Sequence, residues 1–215
     1  MVLTLTPTAR AATVKGTVIV PPEPHPSDAQ AHWRIENGVL PVIPRGLDVR
    51  GEALVVLEPE GGAPKLPEPA PTVTVELHGL RLDPRTVAVP VGTTVEFKNS
   101  DRVPHMLYVE HLPTLMPPEP TAPGQVRAQR FLAPGEYRIL DEEYPHVAGT
   151  VVVVDTPYVA GVDERGAFRI EVPEGRYTLR AYWRGAWLAG RPLEVGPHTP
   201  DVVLHLAARA EGGPR

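Results

Sequence analysis

Apolar and polar residues alternate with period two over many short runs of this chain, the pattern of half-buried strands. Residues 72–79 (TVTVELHG), 86–91 (TVAVPV) and 94–99 (TVEFKN) alternate in this way. In the last run, Val95 and Phe97 are expected to turn inward while Glu96 and Lys98 face water. Residues 12–20, 53–58, 105–110, 126–132 and 136–140 also read as strands. Residues 150–155 (TVVVVD) are apolar without alternation, as expected of a central strand covered on both faces. After Asp155 the strands shorten into a meander: FRIEV and RYTLRAYW within 168–183, then 186–188 and 202–206. Turn signals punctuate these runs at Val91-Gly92, Pro134-Gly135, 163–168 (DERGAF) and Arg184-Gly185. Residues 61–71 (GGAPKLPEPAP) have linker composition, and 21–51 and 111–124 are long proline-rich segments. No long segment carries apolar residues at helical spacing.

Composition sharpens this all-β reading. The 28 prolines are scattered among valine-rich runs, which suits short strands with edges and turns and argues against helices. With 215 residues, 42% of them hydrophobic, the chain can fill one large core or two small ones. The net charge of -5, with both signs interspersed, leaves no basic stripe for nucleic acid. Cysteine is absent, which excludes disulfides, thiolate metal ligands and cysteine nucleophiles. No run is long enough to span a membrane as a helix, and residues 1–16 lack the pattern of a secretory leader.

The candidate chemistry sits in two stretches. FKNSDRVPH brings Asn99 and then His105 out of a strand, and DEEYPHVAG joins two strands through an acidic loop. These residues resemble the cupredoxins, especially the plastocyanin-like ones. In that family a glycine-led strand is followed by Asn and then by a histidine copper ligand, and a Cys-x-x-His-x-x-Met loop precedes a valine-rich strand. The run DTPY…DERGAFRIEVPEGRYTLRAYW resembles the small sandwich that follows the cupredoxin in bacterial proteins of methylamine-utilisation type, and KGTVIV and ALVVLEPEG resemble the N-terminal strands of the same family. That sandwich is similar to carboxypeptidase regulatory-like or transthyretin-like domains.

The resemblance implies a cupredoxin-like Greek-key sandwich over 71–155 and a smaller prealbumin-like sandwich over 156–208. Residues 1–70 contribute strands packed on one of the two, and 209–215 form a disordered tail. It implies a periplasmic or extracellular protein. It places the family's first copper ligand at His105. Aligned on Pro145 and Gly149, the cysteine falls at Asp141, the second histidine at Tyr144 and the methionine at Val147. A blue-copper centre needs two histidines and a thiolate, so the fold carries over and electron transfer does not.

Two readings of the loops follow. In the first, His105 is a partly buried histidine bonded to a loop carboxylate or carbonyl. The protein is then a non-catalytic binding or structural protein with no cofactor, its partner another protein or further copies of itself. In the second, His105 and His146, with Asp141 and Glu143, hold Cu(II) or Zn(II) for storage or delivery. His25, His32 and His111 read as loop histidines, and His78 and His205 as structural ones. Trp183 and Trp187 read as one core ring and one edge cover, with sugar or protein binding as the alternative. No Gly-x-Ser-x-Gly, phosphate loop or isolated carboxylate pair points to an enzyme.

Overall fold

The computed structural model describes residues 11–20, 51–62 and 64–206. The expectations for residues 21–50, including His25 and His32, and for the 209–215 tail lie outside them. The described residues form sixteen strands and no helix, so the chain is all-β as its alternation predicts.

The first sandwich faces two four-stranded sheets. One orders β4 (Leu82–Asp83), β3 (Thr72–Leu77), β6 (Thr94–Asn99) and β8 (Val126–Arg130). The other orders β5 (Thr86–Pro90), β10 (Ala148–Val154), β9 (Gly135–Asp141) and β7 (Leu107–Val109). The β3–β6 and β5–β10 pairs are parallel and the rest antiparallel. Between the sheets lie Val95, Phe97, Leu107, Phe131, Ile139, Val151 and Val153, among others. Val95 and Phe97 point inward as their alternation requires, and Lys98 is exposed.

The second sandwich is not continuous in sequence. β1 (Ala11–Ile19) lies between β12 (Ala167–Pro173), antiparallel, and β16 (Val202–His205), parallel. β2 (Ala53–Pro59) lies between β11 (Val159–Gly161) and β13 (Gly175–Trp183), and β13 also pairs with β14 (Ala186–Trp187) and β15 (Arg191–Val195). The N-terminal strands therefore pack on the C-terminal sandwich as integral members of its two sheets. The two-residue β4, β14 and the short β11 carry too few residues for alternation to be read, and the proline in β15 argues against a strand.

Both uniformly apolar runs turn out to be strands with two buried faces. In β10, Val151 and Val153 enter the first core, while Val152 and Val154 meet the second sandwich. In β2, Ala53, Val55 and Leu57 enter the second core, while Leu54 and Val56 face β10. Tyr182 completes this seam and donates from its hydroxyl to Glu136 Oε2 at 3.0 Å. Burial first, and then the facing Glu136 carboxylate, push the Tyr182 hydroxyl well above its ordinary value, so it remains a donor. Each fully buried side chain of the seam contributes on the order of 1.5–3 kcal/mol of burial free energy.

The expected strand at 105–110 is shorter than its sequence pattern. Only Leu107–Val109 pair with β9, and His105 forms a single bridge with Thr121 of the proline-rich loop. The expected strand at 126–132 ends at Arg130, after which the buried Phe131 closes the core and Leu132 is exposed.

Gly16 marks a close approach of strands. A Cβ there would lie 2.2 Å from the Val202 carbonyl oxygen and 2.6 Å from the Phe168 ring. Gly16→Ala is expected to destabilise the fold by about 1–3 kcal/mol, read as a lower urea midpoint, because β1 is pinned between β12 and β16. An unchanged midpoint would place β1 elsewhere.

Candidate functional site

At the loop end of the first sandwich, β6 ends at Asn99 and a tight loop leads to His105. Asn99 is fully buried and organises the turn. Its Nδ2 donates to the carbonyls of Val103 and Thr121, both at 2.8 Å, and its Oδ1 accepts the Asp101 amide at 2.9 Å. This is the self-bonding turn that Asn favours. The bridge between His105 and Thr121 then fixes the far side of the loop, with backbone bonds of 3.1 and 2.8 Å.

His105 is fully buried and both of its ring nitrogens face carboxylates. Nδ1 lies 2.7 Å from Asp141 Oδ2, and Nε2 lies 3.2 Å from Asp101 Oδ2. Both contacts act as hydrogen bonds when each nitrogen carries a proton, which makes the ring a cation between two anions. The other lone pairs are also used. Asp141 Oδ1 accepts the amides of Glu143 at 2.9 Å and Tyr144 at 3.1 Å. Asp101 accepts the amides of Gly79 at 2.7 Å and Leu80 at 3.0 Å. Leu80 sits at a φ of 57, in the left-handed region that a branched residue seldom adopts, and its bond to Asp101 holds it there. Among buried side-chain polar atoms of the described residues, Thr93 Oγ1 alone lacks a partner, and it lies outside this network.

His105 and Asp141 thus come together as a buried pair. The Glu143 and His146 side chains do not join them, because both residues are exposed on the loop. Tyr144 stands between the two histidines, its ring centroid 5.2 Å from that of His105 and 6.3 Å from that of His146. Val147 is fully buried in the core. Among the described residues no three His, Asp or Glu side chains are gathered to hold a metal ion. The donors do not fit copper of the family's kind. There is no thiolate, and both imidazole nitrogens are engaged by carboxylates.

Sequence reading missed Asp101. Its position four residues before His105, in the turn set by Asn99, is a signal only once the loop is known to double back. Of the remaining candidates, His111 is exposed at a φ of 62, and His78 and His205 are exposed too. Trp183 packs against the second core under Arg184, and Trp187 packs against the seam under Arg180.

Residues 55–153 match the family described as "Cupredoxin-like domain", a little under half of the chain. The match begins inside β2, which the fold assigns to the other sandwich. Similar solved structures include a purple cupredoxin from Nitrosopumilus maritimus, 23% identical over 38% of this chain and 99% of that one, with a TM-score of 0.36. Another is the amicyanin of Paracoccus versutus, 21% identical over 47% of this chain and 97% of that one, with a TM-score of 0.35. A Cu-containing nitrite reductase from Thermus scotoductus is 31% identical over 45% of this chain, with a TM-score of 0.34; only 25% of that enzyme is covered. No curated protein matches the chain.

Burial raises the Asp101 carboxyl, but the Leu80 and Gly79 amides and then His105 outweigh it and hold it below its ordinary 3.8. The unfolded chain then binds this proton more readily than the folded one, so the Asp101 contribution is complete above the ordinary value and is lost as pH falls through the lowered one. In urea titrations the stability gap between the natural protein and Asp101→Asn should be constant from about pH 7 to 5 and narrow below about pH 4. A gap that does not change with pH down to about 3 would contradict this.

Proposed function

We propose that this chain is a non-catalytic binding or structural protein on a cupredoxin-like scaffold, in which a salt-bridged cluster stands where the family holds copper. One observation carries the reading. The histidine that the resemblance places as a copper ligand has both ring nitrogens directed at carboxylates, and one of these, Asp141, falls where the same resemblance puts the cysteine. The cluster ties three loops together: the β3–β4 turn through Asp101, the 100–106 loop through His105, and the β9–β10 loop through Asp141. Loops fixed in this way on a rigid sandwich form a pre-ordered contact surface, which lowers the entropy cost of docking. The 111–124 loop adds an exposed Leu112 and His111 beside that end. The partner is another protein or further copies of this chain.

The second sandwich, built from β1, β2 and the strands after Asp155, is read as a carboxypeptidase regulatory-like or transthyretin-like unit. The support is its DERGAF turn, in which Asp163 Oδ1 accepts the Arg165 and Ala167 amides, followed by the long strands β12 and β13, one in each of its sheets.

Calorimetry with one equivalent of Cu(II) or Zn(II) tests the reading. The expected result is no binding tighter than ~10 μM. Tight stoichiometric binding that disappears in His105→Ala would overturn it and favour a metal carrier using His105 and His146.

A further inference from the structure

Strand β12 closes one side of its sheet, and among the described residues no strand pairs beyond it. Its register with β1 decides which backbone groups face outward. The Val18 amide donates to the Gly166 carbonyl at 2.8 Å. By alternation, the pairs that exchange bonds are then Gly16 with Phe168, Val14 with Ile170 and Ala12 with Val172. The backbone groups of Ala167, Arg169, Glu171 and Pro173 therefore point away from β1.

Both ends of this outward row are occupied. The Ala167 carbonyl accepts the Asp163 amide at 2.9 Å, and the Ala167 amide donates to Asp163 Oδ1 at 2.8 Å. The Pro173 carbonyl accepts the Tyr177 hydroxyl at 2.8 Å. Between them, Arg169 and Glu171 offer two amides and two carbonyls for which the described residues provide no partner.

An open edge is a template for another strand. Residues 168–172 (FRIEV) are apolar at 168, 170 and 172, with a cation at 169 and an anion at 171. Turned antiparallel about Ile170, a second copy sets the partner's Glu171 opposite Arg169 and the partner's Arg169 opposite Glu171. The open groups then make four N–H···O bonds. The four charges alternate, because Arg169 already lies 3.4 Å from Glu171 of its own strand. Other registers fail. Pairing about Arg169 sets arginine against arginine and turns Glu171 onto the occupied Ala167. Pairing about Glu171 sets carboxylate against carboxylate and turns Arg169 onto Pro173, which has no N–H. The β8 edge shows the contrast. It carries Arg127 and Arg130 with no acidic residue, and Gln129 Nε2 donates to the Arg130 carbonyl, so it repels a second copy.

We propose that two copies of this chain form a twofold dimer through β12, joining three strands from each into one continuous sheet. The contact uses none of the His105 cluster, so it goes beyond the scaffold reading and the two can fail separately.

Sedimentation equilibrium of the full chain from about 10 μM to 1 mM, in about 0.1 M salt, tests this. A contact of this length belongs with the weak interfaces, so the dimer should grow in across that range. Glu171→Arg and Arg169→Glu should each weaken association at least about tenfold. Mixed in equal amounts, the two variants should associate with each other about as strongly as the natural protein does with itself, because each one's surplus charge meets its opposite. The double swap should likewise restore the dimer. Both side chains are exposed, so every variant should keep the native circular dichroism spectrum. A monomer throughout the range, a dimer that either single variant leaves intact, or a mixture that stays monomeric would each overturn the proposal.

Discussion

The loop end of the first sandwich depends on one contact, the 2.7 Å bond between His105 and Asp141, both buried. Taking two ions out of water costs several kcal/mol each, and that cost is recovered only where geometry is good and every remaining lone pair is satisfied. Here it is. Four backbone amides from two other loops close on the carboxylates, offsetting the extra negative charge of two aspartates on one imidazole. Removing His105 would leave the buried Asp141 carboxylate without its countercharge, a loss of about 3–5 kcal/mol.

The second constraint is geometric. Two strands, β2 and β10, bury both of their faces, one side in their own core and the other in the shared seam. Neither sandwich can present that seam to water without exposing Leu54, Val56, Val152 and Val154.

Much of this was legible in the sequence. Alternation at 94–99 gave the correct inward pair, and the unbroken valines at 150–155 marked a strand with two buried faces. The resemblance at FKNSDRVPH led to the loop that carries His105, and the alignment on Pro145 and Gly149 led to Asp141, which meets that histidine. What sequence could not carry was distance. Asp101 and Asp141 are separated by 40 positions in the chain numbering and reach one ring only because the β6 loop doubles back under Asn99. Likewise, nothing local in KGTVIV says that β1 runs parallel to β16 near the other end of the chain, because parallel pairing is set by non-local packing. His146 looked available beside His105 by spacing, but the Tyr144 ring lies between them.

The central claim is that His105 and Asp141 act as one coupled unit rather than as independent residues. A double-mutant cycle with His105→Gln and Asp141→Asn, read by urea denaturation of the full chain, measures that coupling directly. The account predicts a coupling free energy of about 1–3 kcal/mol, with the double variant less destabilised than the sum of the two single ones. Additive effects within about 0.5 kcal/mol would contradict it.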